Sequence, residues 1–172
     1  PENYNGSEEF SVSVSDGEYT DSQRITVTVN AVNDAPEANA ASGTTVEDQS
    51  VVIALSGSDI DGDNLSFGLD SNASNGSVTL NGALATYTPN ANYHGEDSFT
   101  FSVSDGYEPS SASVDISISA VNDAPVLAAV SDVSFDEGGT GQVSLSGSDV
   151  DQDALTFSIT GGTDIIALLT GS

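Results

Sequence analysis

Across 172 residues, 27 Asp and Glu stand against a single Lys or Arg, giving a formal net charge of −26 with no Cys, Met or Trp. That balance leaves no basic patch for phosphate contacts, which excludes nucleic acid as a partner and disfavours an anionic membrane surface. Without cysteine neither disulfides nor thiolate metal sites hold the fold, no run of about 18 apolar residues marks a membrane insertion, and with no Cys, no Lys and no recurring His, no enzyme is expected.

Read from the start, Gly6-Ser7-Glu8-Glu9 leads into Phe10, Val12 and Val14, an apolar residue at every second position, which predicts a half-buried strand. Ser15-Asp16-Gly17 marks a turn, and Ile25, Val27 and Val29 predict the returning strand. After Val32-Asn33-Asp34-Ala35-Pro36 comes a polar stretch ending near Glu47, then the apolar run Val51 to Leu55, expected in the middle of a sandwich. Asp59-Ile60-Asp61-Gly62-Asp63 precedes the alternation Leu65, Phe67, Leu69; Asn75-Gly76 and Asn81-Gly82 mark turns. Gly95-Glu96-Asp97 leads into Phe99, Phe101 and Val103, and Ser104-Asp105-Gly106 turns the chain towards Val114, Ile116 and Ile118. Beyond Val121-Asn122-Asp123-Ala124-Pro125 lie Glu137 and Asp149-Val150-Asp151-Gln152-Asp153; residues 165–169 read as a short helix or, in preference, a strand.

The order of these signals repeats. Asn33 returns as Asn122 and Asp16 as Asp105, each 89 residues on, while Asp59 returns as Asp149, 90 residues on. A period this long fits one small domain per repeat. Residues 1–35 match the C-terminal part of a repeat, 36–124 form a complete one with about seven strands, and 125–172 match the N-terminal part of the next. The expected fold is all-β: tandem immunoglobulin-like or cadherin-like Greek-key sandwiches. The partial units at the two ends complement each other apart from the counterpart of residues 83–89, so head-to-tail pairing between copies into filaments is a further expectation.

The acids recur at fixed places, and they supply only hard oxygen ligands, the donor set that Ca2+ takes. Asp59, Asp61 and Asp63 imitate half of an EF-hand loop, but position six is Asn64 where Gly is required, and the flanks read as strands. His94 reads as a surface residue and Arg24 as a local charge partner.

Asp59-x-Asp61, Asp105 after an alternating strand, and the Asn33-Asp34-Ala35-Pro36 linker together resemble cadherin calcium signatures. The unit as a whole resembles the cadherin-like tandem repeats, with VNDAP linkers, of large bacterial surface adhesins of the RTX type. The resemblance implies Ca2+ between successive domains. Carried over by position, the first junction would use Glu8 or Glu9, then Asn33, Asp34, Asp59, Asp61 and Asp105. The second would use Glu47, Glu96 or Asp97, then Asn122, Asp123, Asp149 and Asp151. Ala31 and Ala120 stand where cadherins have a further acid, and Ala35 and Ala124 where they have Asn, so one or two ions per junction are expected.

These readings imply a calcium-stiffened extender in a secreted or cell-surface bacterial adhesin for cell adhesion or biofilm attachment. Its partners would be neighbouring repeats, other copies and a host or matrix receptor. A carbohydrate- or protein-binding sandwich and a metal-independent acidic spacer remain open as alternatives.

Overall fold

Serine and threonine alternate with Val, Ile and Phe through most of the chain, so each strand has one wettable and one apolar side. The computed structural model describes residues 3–161. β1 (Gly6–Ser15) and β2 (Thr20–Val29) form an antiparallel hairpin in register from Gly6 opposite Val29 to Ser15 opposite Thr20. Its turn is tied by Asp16, whose Oδ1 accepts the Glu18 N–H at 2.9 Å and the Tyr19 N–H at 2.7 Å. These donors hold the Asp16 carboxyl below its ordinary value, the Tyr19 N–H contributing most.

Next come β3 (Glu37–Asn39), β4 (Ala41–Val46), β5 (Val51–Ala54), β6 (Ser56–Ser58), β7 (Ser66–Ser71), β8 (Gly76–Asn81), β9 (Leu84–Pro89), β10 (Gly95–Ser104) and β11 (Pro109–Ser119). One sheet has the order β4-β11-β10-β7, and a second has β5-β9-β8 with the β3-β6 pair alongside. β3 and β4 are separated by one residue, as are β5 and β6, so the nine segments make up the seven strands of an Ig-like sandwich. All the ladders are antiparallel except β4 with β11, which run parallel.

The apolar sides of the two sheets meet. Tyr87, Phe99, Phe101, Val103, Val114 and Ile116 are fully buried, with Ile53, Leu55, Val78, Ala85 and Ile118 around them. Phe67 stacks on Phe101 with ring centroids 6.4 Å apart. Each buried Val, Leu, Ile or Phe among them contributes about 1.5–3 kcal/mol by leaving water.

Two expectations need correction. The run from Val51 to Leu55 is not central: β5 is an edge strand, Ile53 points inward and Val52 is 60% exposed. The centre of that sheet belongs to β9, whose Ala85 and Tyr87 are completely covered. The alternating faces of β1 and β2 are also not half-buried in the expected way. Phe10, Val12, Val14, Ile25, Val27 and Val29 are 42–71% exposed, because no second sheet among the described residues covers them. Their counterparts 89 residues on are the buried Phe99, Phe101, Val103, Val114, Ile116 and Ile118.

After the sandwich, β12 (Val126–Leu127) pairs with β13 (Gly147–Ser148), repeating the pairing of β3 with β6. Residues 165–169 lie outside the described residues. In a head-to-tail pairing of the two partial units the missing counterpart, residues 83–89, would be that of β9, the centre of its sheet.

Candidate metal centre

The first linker is held by acids from two loops of the sandwich. Asn33 donates from Nδ2 to Asp105 Oδ2 at 2.8 Å, and the Asp34 N–H donates to Asp61 Oδ2 at 2.7 Å. Asp59 organises the loop after β6: its Oδ1 accepts the N–H groups of Asp61 at 2.9 Å and Asp63 at 3.2 Å. Gly62, with φ +81°, lets the backbone turn there without a Cβ clash. Each of Asp59, Asp61 and Asp63 thereby offers one carboxylate oxygen, and these oxygens lie within 4.8 Å of one another. Asp105 sits at the turn between β10 and β11, where its Oδ1 accepts the Tyr107 and Glu108 N–H groups at 2.7 and 2.9 Å. Donors at both oxygens, the Asn33 side chain foremost, keep its carboxyl below the ordinary value.

The second linker repeats this arrangement and adds the foot of the sandwich. The Asp123 N–H donates to Asp151 Oδ2 at 2.6 Å, the Asp151 N–H to Asp149 Oδ1 at 2.9 Å, and Asn122 Nδ2 to the Asp123 carbonyl at 2.8 Å. From the other side Glu47, 4% exposed, accepts the Val121 N–H on Oε1. The Asp48 carboxylate accepts the Asn92 N–H at 3.0 Å. Asp123 is therefore crowded by acids. Loss of water contact raises its carboxyl above the ordinary value, and the charges of Asp151, Glu47, Asp48 and Asp149 add to the shift.

Two atoms test whether a cation fits. Asp59 Oδ2 and Asp123 Oδ2 are shielded from solvent and have no hydrogen-bond donor, although each residue as a whole is only half-buried. A shielded carboxylate oxygen without a donor is costly unless a positive charge faces it. All the candidate donors are carboxylate, amide and carbonyl oxygens, the set suited to Ca2+ and unsuited to softer metals.

The structure brings together Asn33, Asp34, Asp59, Asp61 and Asp105 at one junction, and Glu47, Asn122, Asp123, Asp149 and Asp151 at the other. It keeps four of the expected residues apart from these groups. Glu8 and Glu9 lie exposed on β1, and Glu9 forms a 2.9 Å ion pair with Arg24, so Arg24 is the local charge partner its isolation implied. Glu96 accepts the Ser117 hydroxyl across the ladder at 2.9 Å. Asp97 turns inward: it accepts the Ser74, Asn75 and Ser98 N–H groups and the Tyr87 hydroxyl at 2.9–3.1 Å. Burial is the larger reason why the Tyr87 hydroxyl is shifted strongly upward, and Asp97 adds to it.

Sequence reasoning missed Asp48, Asn92 and Asn3. Asn92 lines a cleft with Asp123 and Asp149, and Asn3 lines the matching cleft with Asp34 and Asp61. Their 89-residue spacing was the signal available in the sequence, and the structure gives both the same left-handed backbone, φ +57° and +58°. Asp48 has φ +60°, and its counterpart is Gly138 with φ +76°, a sign that the position demands this conformation. His94, expected only at the surface, is exposed yet reaches within 3.8 Å of Glu47.

This architecture defines an immunoglobulin-like β-sandwich. Residues 33–117 match the family model described as Bacterial Ig domain, so this part of the chain is similar to bacterial Ig-like domains. No curated protein matches the chain. Among solved structures, human protocadherin-24 EC1-2 is 21% identical over 69% of this chain and 62% of that one, with a TM-score of 0.45. An endo-fucoidan hydrolase of glycoside hydrolase family 107 is 22% identical over 68% of this chain and 19% of that one, with a TM-score of 0.43. Surface layer protein SbsC, domains 4–9, is 16% identical over 74% of this chain and 20% of that one, with a TM-score of 0.34. The chain thus spans only 19–22% of the length of the family 107 fucoidan hydrolases MfFcnA4 and MfFcnA9. Among the described residues no helix is long and apolar enough to cross a membrane.

Proposed function

We propose that these are calcium-binding extender repeats of a secreted or cell-surface bacterial adhesin of the VNDAP-linker, RTX type. In this reading the repeats are non-catalytic, and each linker is stiffened by Ca2+ held between acids of the linker and acids of the domains it joins. The observation that carries the reading is Asp123 Oδ2, shielded and without a donor among the charges of Glu47, Asp48, Asp149 and Asp151. Asn33, Asp34, Asp59, Asp61 and Asp105 would hold the ion at the first junction. Glu47, Asn122, Asp123, Asp149 and Asp151 would do so at the second, with Asn92 and Asp48 beside them.

A bound Ca2+ supplies the positive charge that these oxygens lack. With the charge compensated, Asp123 and its neighbours cease to repel, and the N–H groups of Asp34 and Asp123 keep Asp61 and Asp151 oriented towards the linker. At a free concentration about a thousand times the dissociation constant, such a ligand stabilises the bound state by roughly 4 kcal/mol. The low calcium of a cytosol and the higher calcium outside would keep the array pliant during export and stiff on the cell surface. Its partners would then be its own neighbouring repeats and, through other parts of the parent protein, a host or matrix receptor. Pairing between copies would have to proceed without an equivalent of β9.

Calorimetric titration of Ca2+, with X-ray scattering before and after EDTA, tests this. Heat of binding and a longer, stiffer particle in Ca2+ are expected. No heat and unchanged dimensions would leave a metal-independent acidic spacer.

A further inference from the structure

Alternation along β5, β8 and β9 sends Ile53, Val78, Ala85 and Tyr87 into the core, so the residues between them face away from it. The register sets these in rows: Val52 beside Thr86 and Thr86 beside Thr79, then Ala54 beside Leu84 and Leu84 beside Asn81. Val52 is 60% and Leu84 48% exposed. No residue on this outer side carries a charge. At one end of the patch the hydroxyls of Ser50 and Thr88 bond each other at 2.7 Å, which lowers the cost of taking them out of water.

The other sides described above are acidic. The outer side of β4-β11-β10-β7 carries Asp70, Glu96 and Asp115, and the β1-β2 hairpin carries Glu8, Glu9 and Asp21. With a net charge of −26, two copies repel wherever such sides face each other, and they meet without opposed acids on β5-β9-β8. The neutrality recurs: Thr140, Gln142 and Ser144 stand 90 residues after Ser50, Val52 and Ala54.

The patch is a poor match for a foreign partner. It has no aromatic anchor, since Tyr87 lies beneath it, and no charge to orient a ligand. It is also small, because a stable interface takes roughly 20–30 residues from each side, more than one repeat supplies here. Contacts this weak count only when many form together, and the partner that presents the same patch at the same spacing is another copy of the array.

We propose that the outer side of β5-β9-β8 is a lateral contact between copies of this chain, patch against patch, through which neighbouring arrays bundle. The proposal rests on the extender reading for the number of repeats that act together and not for an ion.

Sedimentation equilibrium of the full chain at millimolar concentration in EDTA, with NaCl raised in steps, tests it. Weak self-association that strengthens with salt is expected, because screening removes the repulsion and leaves the contact. Val52→Glu with Thr79→Glu should weaken that association several-fold. Thr44→Glu with Ser113→Glu adds the same charge at exposed positions of the other sheet and should leave it unchanged. The exposed apolar side of the β1-β2 hairpin is common to both double variants and cannot produce a difference between them. No association at any salt, or equal association of the two double variants, would overturn the proposal. If titration gives no calcium heat while the placement of the charges still matters, the ion is lost from the account and the lateral contact stands. If heat is found but the two variants associate alike, the reverse holds.

Discussion

Asp97 and Asp123 are the same side chain put to opposite uses. Asp97 is surrounded by donors, three N–H groups and the Tyr87 hydroxyl, and it ties the turn before β8 to the start of β10. Removing it strands those donors in the interior, so Asp97→Ala should lower stability by about 2–4 kcal/mol. Denaturant melts should give the same loss with and without Ca2+; a loss seen only in Ca2+ would make Asp97 a ligand after all. Asp123 is surrounded by acceptors, and its folded carboxyl titrates above the unfolded one. Its contribution to metal-free stability is therefore fully present below the unfolded value and disappears as pH rises through the folded value. Asp16 and Asp105 have the opposite sign: their contribution is present above the unfolded value and is lost as pH falls through the depressed folded one. Asp123→Asn in EDTA should accordingly raise the melting temperature near neutral pH and not in acid, while abolishing most of the gain from Ca2+. Thermal melts at stepped pH check this, and a gain of equal size at every pH would refute the crowding argument.

Among the elements, close approach of strands decides what each glycine does. A Cβ at Gly76 would fall 2.5 Å from the Tyr87 ring and 2.6 Å from the Thr88 carbonyl oxygen, and neither the packed ring nor the backbone of central β9 can retreat. A Cβ at Gly43 meets the outer atoms of Ile53, which can rotate. Gly76→Ala should thus cost about 2–3 kcal/mol and Gly43→Ala distinctly less, as overpacking does where neighbours are fixed or free. Equilibrium unfolding in urea ranks the two. Strand positions were legible in the sequence because the side-chain period of two is local: Phe99, Phe101 and Val103 had to share a side. Rank within the sheet was not. The unbroken run Val51 to Leu55 reads as central, yet β9, with Thr and Pro among its residues, occupies the middle because β5 and β8 both pair with it.

For the molecule as a whole, a charge of −26 has to be placed somewhere, and it is kept off one sheet. β5, β8 and β9 carry no ionisable acid or base apart from buried Tyr87, while Asp123 is crowded at its linker by Glu47, Asp48, Asp149 and Asp151. Self-repulsion therefore acts at the junctions. In EDTA, raising NaCl should stabilise the chain by screening, and at equal ionic strength CaCl2 should do so by much more, since a bound ion acts at contact distance. Melting temperatures matched for ionic strength separate the two effects. If both salts coincide, the junctions bind no specific cation.

Repetition, strand periodicity and the supply of oxygen ligands are properties of neighbouring residues and their spacing, so the amino-acid order alone established an all-β tandem array with acids at recurring places. Which acids meet was decided by tertiary pairing: Asn33 reaches Asp105 across 72 positions, and Glu47 reaches Val121 across 74. The same distant pairing turned Asp97 inward, drew Asp48 and Asn92 to the linker, and set β4 parallel to β11. Contacts between residues that far apart depend on how the two sheets close over the core, and no local pattern encodes that closure.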